Sequence, residues 1–242
     1  MDASSLAPAR ARTMYRAAGV AAILVLAIFP LQMSVFALAW PPPDTAQAYF
    51  DLLRDRPLVG LLSLDVLLMA DWLALLVVWA GLYVALRGKA PRAMLVILAV
   101  ALLSTAAYFV SNTAFQMLAL SQQHAAAATE AERASLLAAG EAALARFEGP
   151  WFTASYVLSG LAVLAVSLVM WRAPAFGRLA GGVGVAYGAL QLVPPNLGTV
   201  GMALSLASLL PMLAWLVLVA RGLLRQARGA DAPRTRGARP AA

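Results

Sequence analysis

The stretch "LLSLDVLLMADWLALLVV", residues 61–78, decides the fold. It is a near-continuous run of leucine, valine, methionine, alanine and tryptophan, interrupted by two aspartates, Asp65 and Asp71. If the run lies in a bilayer, each carboxylate is costly there, and something must hold it.

The rest of the composition places the run in a membrane. Of the 242 residues, 62% are hydrophobic and 12% are charged, and the mean hydropathy is +0.80. A soluble domain would be about 45–50% apolar and about 25% charged. These values exclude a soluble globular domain and a disordered chain, and leave a polytopic membrane protein. The chain has no cysteine, which excludes disulfide staples and thiolate metal sites. One lysine against seventeen arginines, with abundant alanine, points to a GC-rich bacterial genome. The net charge of +7 is read as topology and contact with anionic lipid, not as nucleic-acid binding.

A hydrocarbon core of ~30 Å needs about 20 apolar residues in a helix. Six runs meet that measure, at 17–39, 58–86, 93–118, 151–171, 178–194 and 200–220. The fifth is short and ends in Pro194-Pro195. Backbone groups must be paired internally in lipid, so all six are expected to be helices. Arginine placement sets the orientation. With both termini in the cytoplasm, 14 of the 18 Lys and Arg residues fall inside, and Arg54, Arg56, Arg133 and Arg146 fall outside. Seven acids, including Asp44, Asp51, Glu132 and Glu148, also fall outside. The expectation is an all-α polytopic bundle of six transmembrane helices, with both termini cytoplasmic. Residues 1–16 form a cytoplasmic N-terminal tail, 17–220 the transmembrane domain, and 221–242 a basic disordered tail whose arginines meet anionic headgroups. The first run also resembles a signal peptide with an A-x-A site at Ala37–Ala39. At about 23 residues it exceeds the usual h-region, so it is kept as a helix.

Two outer segments are long. Asp44 and Gln47 have capping-box spacing ahead of one short helix, and so do Thr129 and Glu132 ahead of another. In the second, Leu136, Leu137, Leu144 and Phe147 cluster at helical spacing. This predicts an extra amphipathic helix in the outer loop between helices 3 and 4.

Counting inward from the cytoplasmic arginines gives depth. Asp71 lies 16 residues from Arg87, about 24 Å at helical rise. The same count reaches Gln32, Tyr108, Tyr156 and Ser205, with Gln191 slightly deeper. Ser104, Tyr108, Asn112 and Gln116 recur every fourth residue and share one expected helix face. No Lys, Arg or His lies inside the runs, Arg178 marking only the edge of the fifth. Each helix thus offers a polar group at a similar level. The candidate binding residues are Asp65, Asp71, Tyr108, Asn112, Gln116, Tyr156 and Gln191. The same groups also read as interfacial polarity or as glue between helices.

Other features have structural readings. Gly177/Gly181 and Gly184/Gly188 have the spacing of close helix packing. Pro30 and Pro211 are expected to kink their helices. His124 is read as a solvated loop residue, and a lone histidine makes neither a bis-His haem nor a zinc site. Trp40, Trp151, Trp171 and Tyr49 mark membrane boundaries. The chain carries no H-E-x-x-H and no G-x-S-x-G. Asp65 and Asp71 are six residues apart on one expected helix, pointing to different faces, which does not make an aspartyl dyad. No enzyme, cofactor or metal site is expected.

At "YFDLLRDRPLVGLLSLD" and "SNTAFQMLALSQQHAAAATEAERASLLAAGEAALA" the chain resembles an uncharacterised family of bacterial integral membrane proteins, known as hypothetical proteins or a domain of unknown function. The resemblance covers roughly residues 15–222. It implies six helices and a multi-pass protein of the bacterial inner membrane, and it carries no activity and no site residues. Two functions stay open. One is a small-solute or cation binding or transport-type protein with an outward-facing polar layer around Asp71. The other is a non-catalytic sensor or interaction partner whose polar layer is packing glue. The topology makes a direct prediction. Reporter fusions after residues 45 and 130 read outside, and those after 90, 175 and 225 read inside; an outside signal at 90 would overturn it.

Overall fold

The computed structural model describes residues 3–38, 43–147 and 149–229. Trp40, Glu148 and the arginines of the tail beyond residue 229 lie outside them. The described residues form ten helices and no strand: α1 (Ala3–Leu38), α2 (Ala46–Asp55), α3 (Pro57–Ser63), α4 (Val66–Leu86), α5 (Pro91–Ser111), α6 (Ala114–Ala126), α7 (Glu130–Phe147), α8 (Pro150–Trp171), α9 (Gly177–Leu190) and α10 (Gly198–Gly229). Residues 3–16 are helical as part of α1, and α10 continues through Gly229, nine residues past 220.

Six of these helices close into a ring. α1 packs on α4, α4 on α5, α5 on α8, α8 on α9, α9 on α10, and α10 returns to α1. The ring has a filled centre. Trp215 of α10 lies 6.4 Å from Trp79 of α4 and 6.0 Å from Tyr187 of α9, ring centroid to ring centroid. Val78, Leu82, Val166, Met170, Val219 and Leu223 complete that core. The outside of the ring is apolar: Leu24, Leu95, Val96, Leu103, Leu168 and Leu206 are exposed, and Leu210 reaches 78% exposure. Such a surface is incompatible with water at this extent and matches hydrocarbon. Five stretches, Ala9–Val35, Val66–Leu86, Pro91–Ala126, Glu130–Trp171 and Gly198–Gly229, are long and apolar enough to cross a membrane. The chain is a multi-pass membrane protein. α9, with 14 residues, is about 21 Å long, shorter than the hydrocarbon core.

The remaining helices, α2, α3, α6 and α7, form a cap at one end of the ring. They share a second core, in which Tyr49, Phe50 and Leu53 of α2 meet Met117 of α6 and Ala143 of α7. Leu137 and Leu144 pack against it. The cap exists because two expected continuous helices are broken. The run 58–86 breaks at Leu64–Asp65, where Asp65 takes a left-handed backbone with φ 64°. The run 93–118 breaks at Asn112–Thr113. α7 starts as its sequence indicates, with Thr129 Oγ1 accepting from the Glu132 N–H at 3.2 Å. α2 does not. Its cap is Thr45 and not Asp44: Thr45 Oγ1 accepts from the Ala48 N–H at 3.3 Å. Glu141 of α7 adds a second acceptor, for the Ala46 N–H at 2.8 Å. His124 is not a free loop residue either. It lies in the last turn of α6, half-buried, with its ring 5.3 Å from that of Phe50.

Glycines let the ring close. A Cβ at Gly188 would sit 2.6 Å from the Leu164 amide nitrogen and 2.8 Å from the Gly160 carbonyl, both backbone atoms of α8. A Cβ at Gly181 would likewise sit 2.9 Å from the Trp171 backbone. Gly177 is different: it has φ +80° and open space around it, so it serves the turn into α9 and not the packing. Gly188→Ala forces α8 and α9 apart, and overpacking of this kind costs about 1–3 kcal/mol. The expected result is a lowered melting temperature in detergent. Gly88→Ala, with nothing within 4 Å, leaves it unchanged.

Candidate functional site

The two helix breaks face each other, and together they build the polar layer. Turning the chain at Leu64–Asp65 leaves the Leu64 carbonyl without a backbone donor, while the Leu62 and Asp65 carbonyls keep theirs, the Asp65 N–H at 3.2 Å and the Met69 N–H at 3.0 Å. Buried among apolar side chains, a carbonyl without a backbone donor must find another. Three side chains from outside the broken helix donate to carbonyls of the turn, one to Leu64 and two as second donors to Leu62 and Asp65. Gln32 of α1 donates through Nε2 to the Leu62 carbonyl at 3.1 Å. Asn112 donates through Nδ2 to the Leu64 carbonyl at 3.0 Å. Tyr108 of α5 donates through its hydroxyl to the Asp65 carbonyl at 3.4 Å. Asn112 also serves its own break, since its Oδ1 accepts from the Ala114 N–H at 3.1 Å. One amide side chain thus closes both breaks.

Asp65 has two roles here. Its backbone makes the left-handed turn, which Asp tolerates better than most residues. Its carboxylate accepts from Gln32 Nε2 at 3.4 Å. It is buried inside the protein at the junction of ring and cap, and does not lie at an open water boundary.

Asp71 is separate from that cluster. It lies one and a half turns into α4 and is 4% exposed. It shares a face with Val78 and Leu82, seven and eleven residues on, which belong to the core of the ring. It therefore faces the bundle and not lipid. Tyr108, matched to Asp71 in depth, does not bond it. The Tyr108 hydroxyl is committed to the Asp65 carbonyl, and its ring stacks on the next residue, Trp72, at 4.8 Å and 19°. Asp71 Oδ1 is buried with no hydrogen-bond partner. Three more buried atoms in the layer have none: Gln32 Oε1, Ser63 Oγ and Thr113 Oγ1.

The other sequence candidates divide. Gln116 leaves the layer, because the break at Asn112–Thr113 ends the four-residue ladder. It is exposed on α6 and accepts from Arg146 Nη2. Tyr156 of α8 donates to or accepts from Ser205 of α10 at 2.9 Å. Gln191, at the end of α9, is buried with Oε1 unpaired. These two lie on the α8–α9–α10 side of the ring, away from the α1–α4–α5 side that holds Asp71. Ser104 ties α5 to α8 by donating to the Ser155 carbonyl at 2.7 Å. Gln32 was matched in depth by the sequence but not marked as a candidate, and the structure gives it a central place. Among the described residues no group of three His, Cys, Asp or Glu side chains has metal-binding geometry. No protein family, curated protein or solved structure matches the chain.

The layer makes a stability prediction. Asn112→Ala leaves the Leu64 carbonyl without its side-chain donor and removes the acceptor of the Ala114 N–H, a loss of about 1–3 kcal/mol per unsatisfied buried group. Its melting temperature in detergent falls well below that of the parent, while exposed Gln122→Ala stays within about 0.5 kcal/mol. An Asn112→Ala protein as stable as the parent would show that these bonds do not hold the breaks.

Proposed function

We propose that the chain is a small-solute or cation binding or transport-type membrane protein, and that Asp71 is the residue that takes a proton or a cation. One observation carries this reading: the Asp71 carboxylate is buried in the ring with Oδ1 unpartnered. Glue is hydrogen-bonded by definition, and Gln32, Tyr108 and Asn112 meet that description through their bonds to backbone carbonyls. Asp71 does not. An ionisable residue inside a membrane helix that makes no structural bond marks a binding or relay position. The unpaired oxygens of Gln32, Ser63 and Thr113 support a small polar ligand at the same level.

The second reading, a non-catalytic sensor or partner, is favoured by the bonded half of the layer. It is favoured too by the filled centre of the ring, which leaves no straight path along the axis. In both readings the arginine distribution supports cytoplasmic termini, with the cap outside and α9 as a short sixth span held by its neighbours. Composition, with one lysine against seventeen arginines on an apolar chain, supports the bacterial inner membrane.

Asp71→Asn separates the readings. It keeps size and hydrogen-bonding capacity and removes the charge. In the binding reading the parent's melting temperature shifts with pH or with added monovalent cation, and the folded Asn variant loses that shift. Asp65→Asn, whose partner is a structural amide, retains it. A parent with no such shift, or an Asp71→Asn protein that keeps it, leaves the glue reading.

A further inference from the structure

The end of the ring opposite the cap carries a different kind of site. Two adjoining concavities share Trp171 and Arg172. The larger, about 810 Å³, is lined by Lys89 and Ala90 from the α4–α5 turn and by Leu168, Val169, Trp171 and Arg172 from the end of α8. The smaller, about 480 Å³, continues through Pro174 to Gly177 and Arg178 at the start of α9.

The charge here is one-sided. Lys89, Arg172 and Arg178 are exposed, and among the described residues none of them has an ion-pair partner. The described acids all belong to the cap or to the layer around Asp65 and Asp71, so no described carboxylate lies at this end. α9 begins at the same place with no side-chain cap, and its first-turn N–H groups add a positive helix end. Below the charges the wall turns apolar: Leu168 is 56% exposed and Trp171 46%. Tryptophan at such a level is an interfacial anchor.

We propose that this groove is a binding site for an anionic phospholipid. The phosphate sits among Lys89, Arg172 and Arg178, and an acyl chain descends past Trp171 and Leu168. A cationic floor over an exposed apolar wall fits that amphiphile, whereas a soluble anion would have no use for the wall. Basic pockets between membrane helices bind such headgroups. The site is independent of Asp71 and of the function proposed for it.

The test uses the purified full chain in a neutral detergent, with added phosphatidylglycerol or phosphatidylcholine of the same acyl chains. Phosphatidylglycerol is expected to raise the melting temperature and phosphatidylcholine to do so much less. Removing each cation weakens the apparent affinity by roughly fivefold. The triple variant Lys89→Gln, Arg172→Gln, Arg178→Gln therefore loses most of the rise while melting like the parent in phosphatidylcholine. Single Lys89→Gln and Arg178→Gln changes each lose part of it, so the result does not depend on the triple variant folding. Glycerol phosphate, which has the charge without the chains, gives no comparable rise. Equal effects of the two lipids, a full rise in the variants, or an equal rise with glycerol phosphate would each overturn the site.

Discussion

A backbone carbonyl released inside a membrane protein has no water to turn to, and this constraint organises the structure. At Leu64–Asp65 the chain leaves helical geometry; the Leu64 carbonyl takes its donor from Asn112 at the α5–α6 junction, and the Leu62 and Asp65 carbonyls, each already bonded to a backbone N–H, take second donors from α1 and α5. Those bonds fix the height of α1 and α5 against α4. They also permit the chain to turn out of the ring, so that α3 and α6 leave their parent helices and join α2 and α7 in a second core. Ring and cap meet at the polar layer because the breaks that create the cap also create the demand for polar groups.

The layer accordingly holds two kinds of residue. Asn112, Gln32 and Tyr108 are accounted for by the carbonyls they reach. Asp71 lies among core residues of α4 and satisfies no backbone group. The aromatic cluster of Trp79, Tyr187 and Trp215 closes the axis of the ring, so a ligand reaching Asp71 would enter from the cap end or between helices. The basic end is different again: its cations face outward over an apolar wall and, among the described residues, meet no carboxylate.

Much of this was legible in the sequence. Run length indicated long apolar helices, and Thr129 with Glu132 marked the start of α7. The glycines of "GGVGVAYG" signalled close packing, which Gly184 and Gly188 provide. The breaks were not legible, because an aspartate inside a leucine-rich run reads as a polar residue on a helix, whereas Asp65 here serves first as a left-handed turn. The length of the run 58–86, well beyond what a bilayer needs, was the available signal. The misplacement of Gln116 follows from the same oversight: a four-residue ladder predicts a shared face only while the helix continues, and it stops at Asn112. Asp44 and Thr45 are adjacent and both suit a cap, and the choice fell to tertiary contact through Glu141. His124 was misread because its partner, Phe50, is remote in sequence.

The order of the ring has a consequence for how the protein is made. Every contact between neighbours around the ring but one joins helices that follow one another along the chain, apart from the cap segments between them. During synthesis each emerging helix therefore finds its partner already in the bilayer and needs no search among later segments. The exception is the seam between α1 and α10, the first and last helices. Until α10 is released, the face of α1 around Gly19, where a Cβ would meet Leu224 at 2.7 Å, has only lipid against it. The seam is the last step of assembly and the place where a stalled or truncated chain stays open. Quality control acting on this protein would find its cue there.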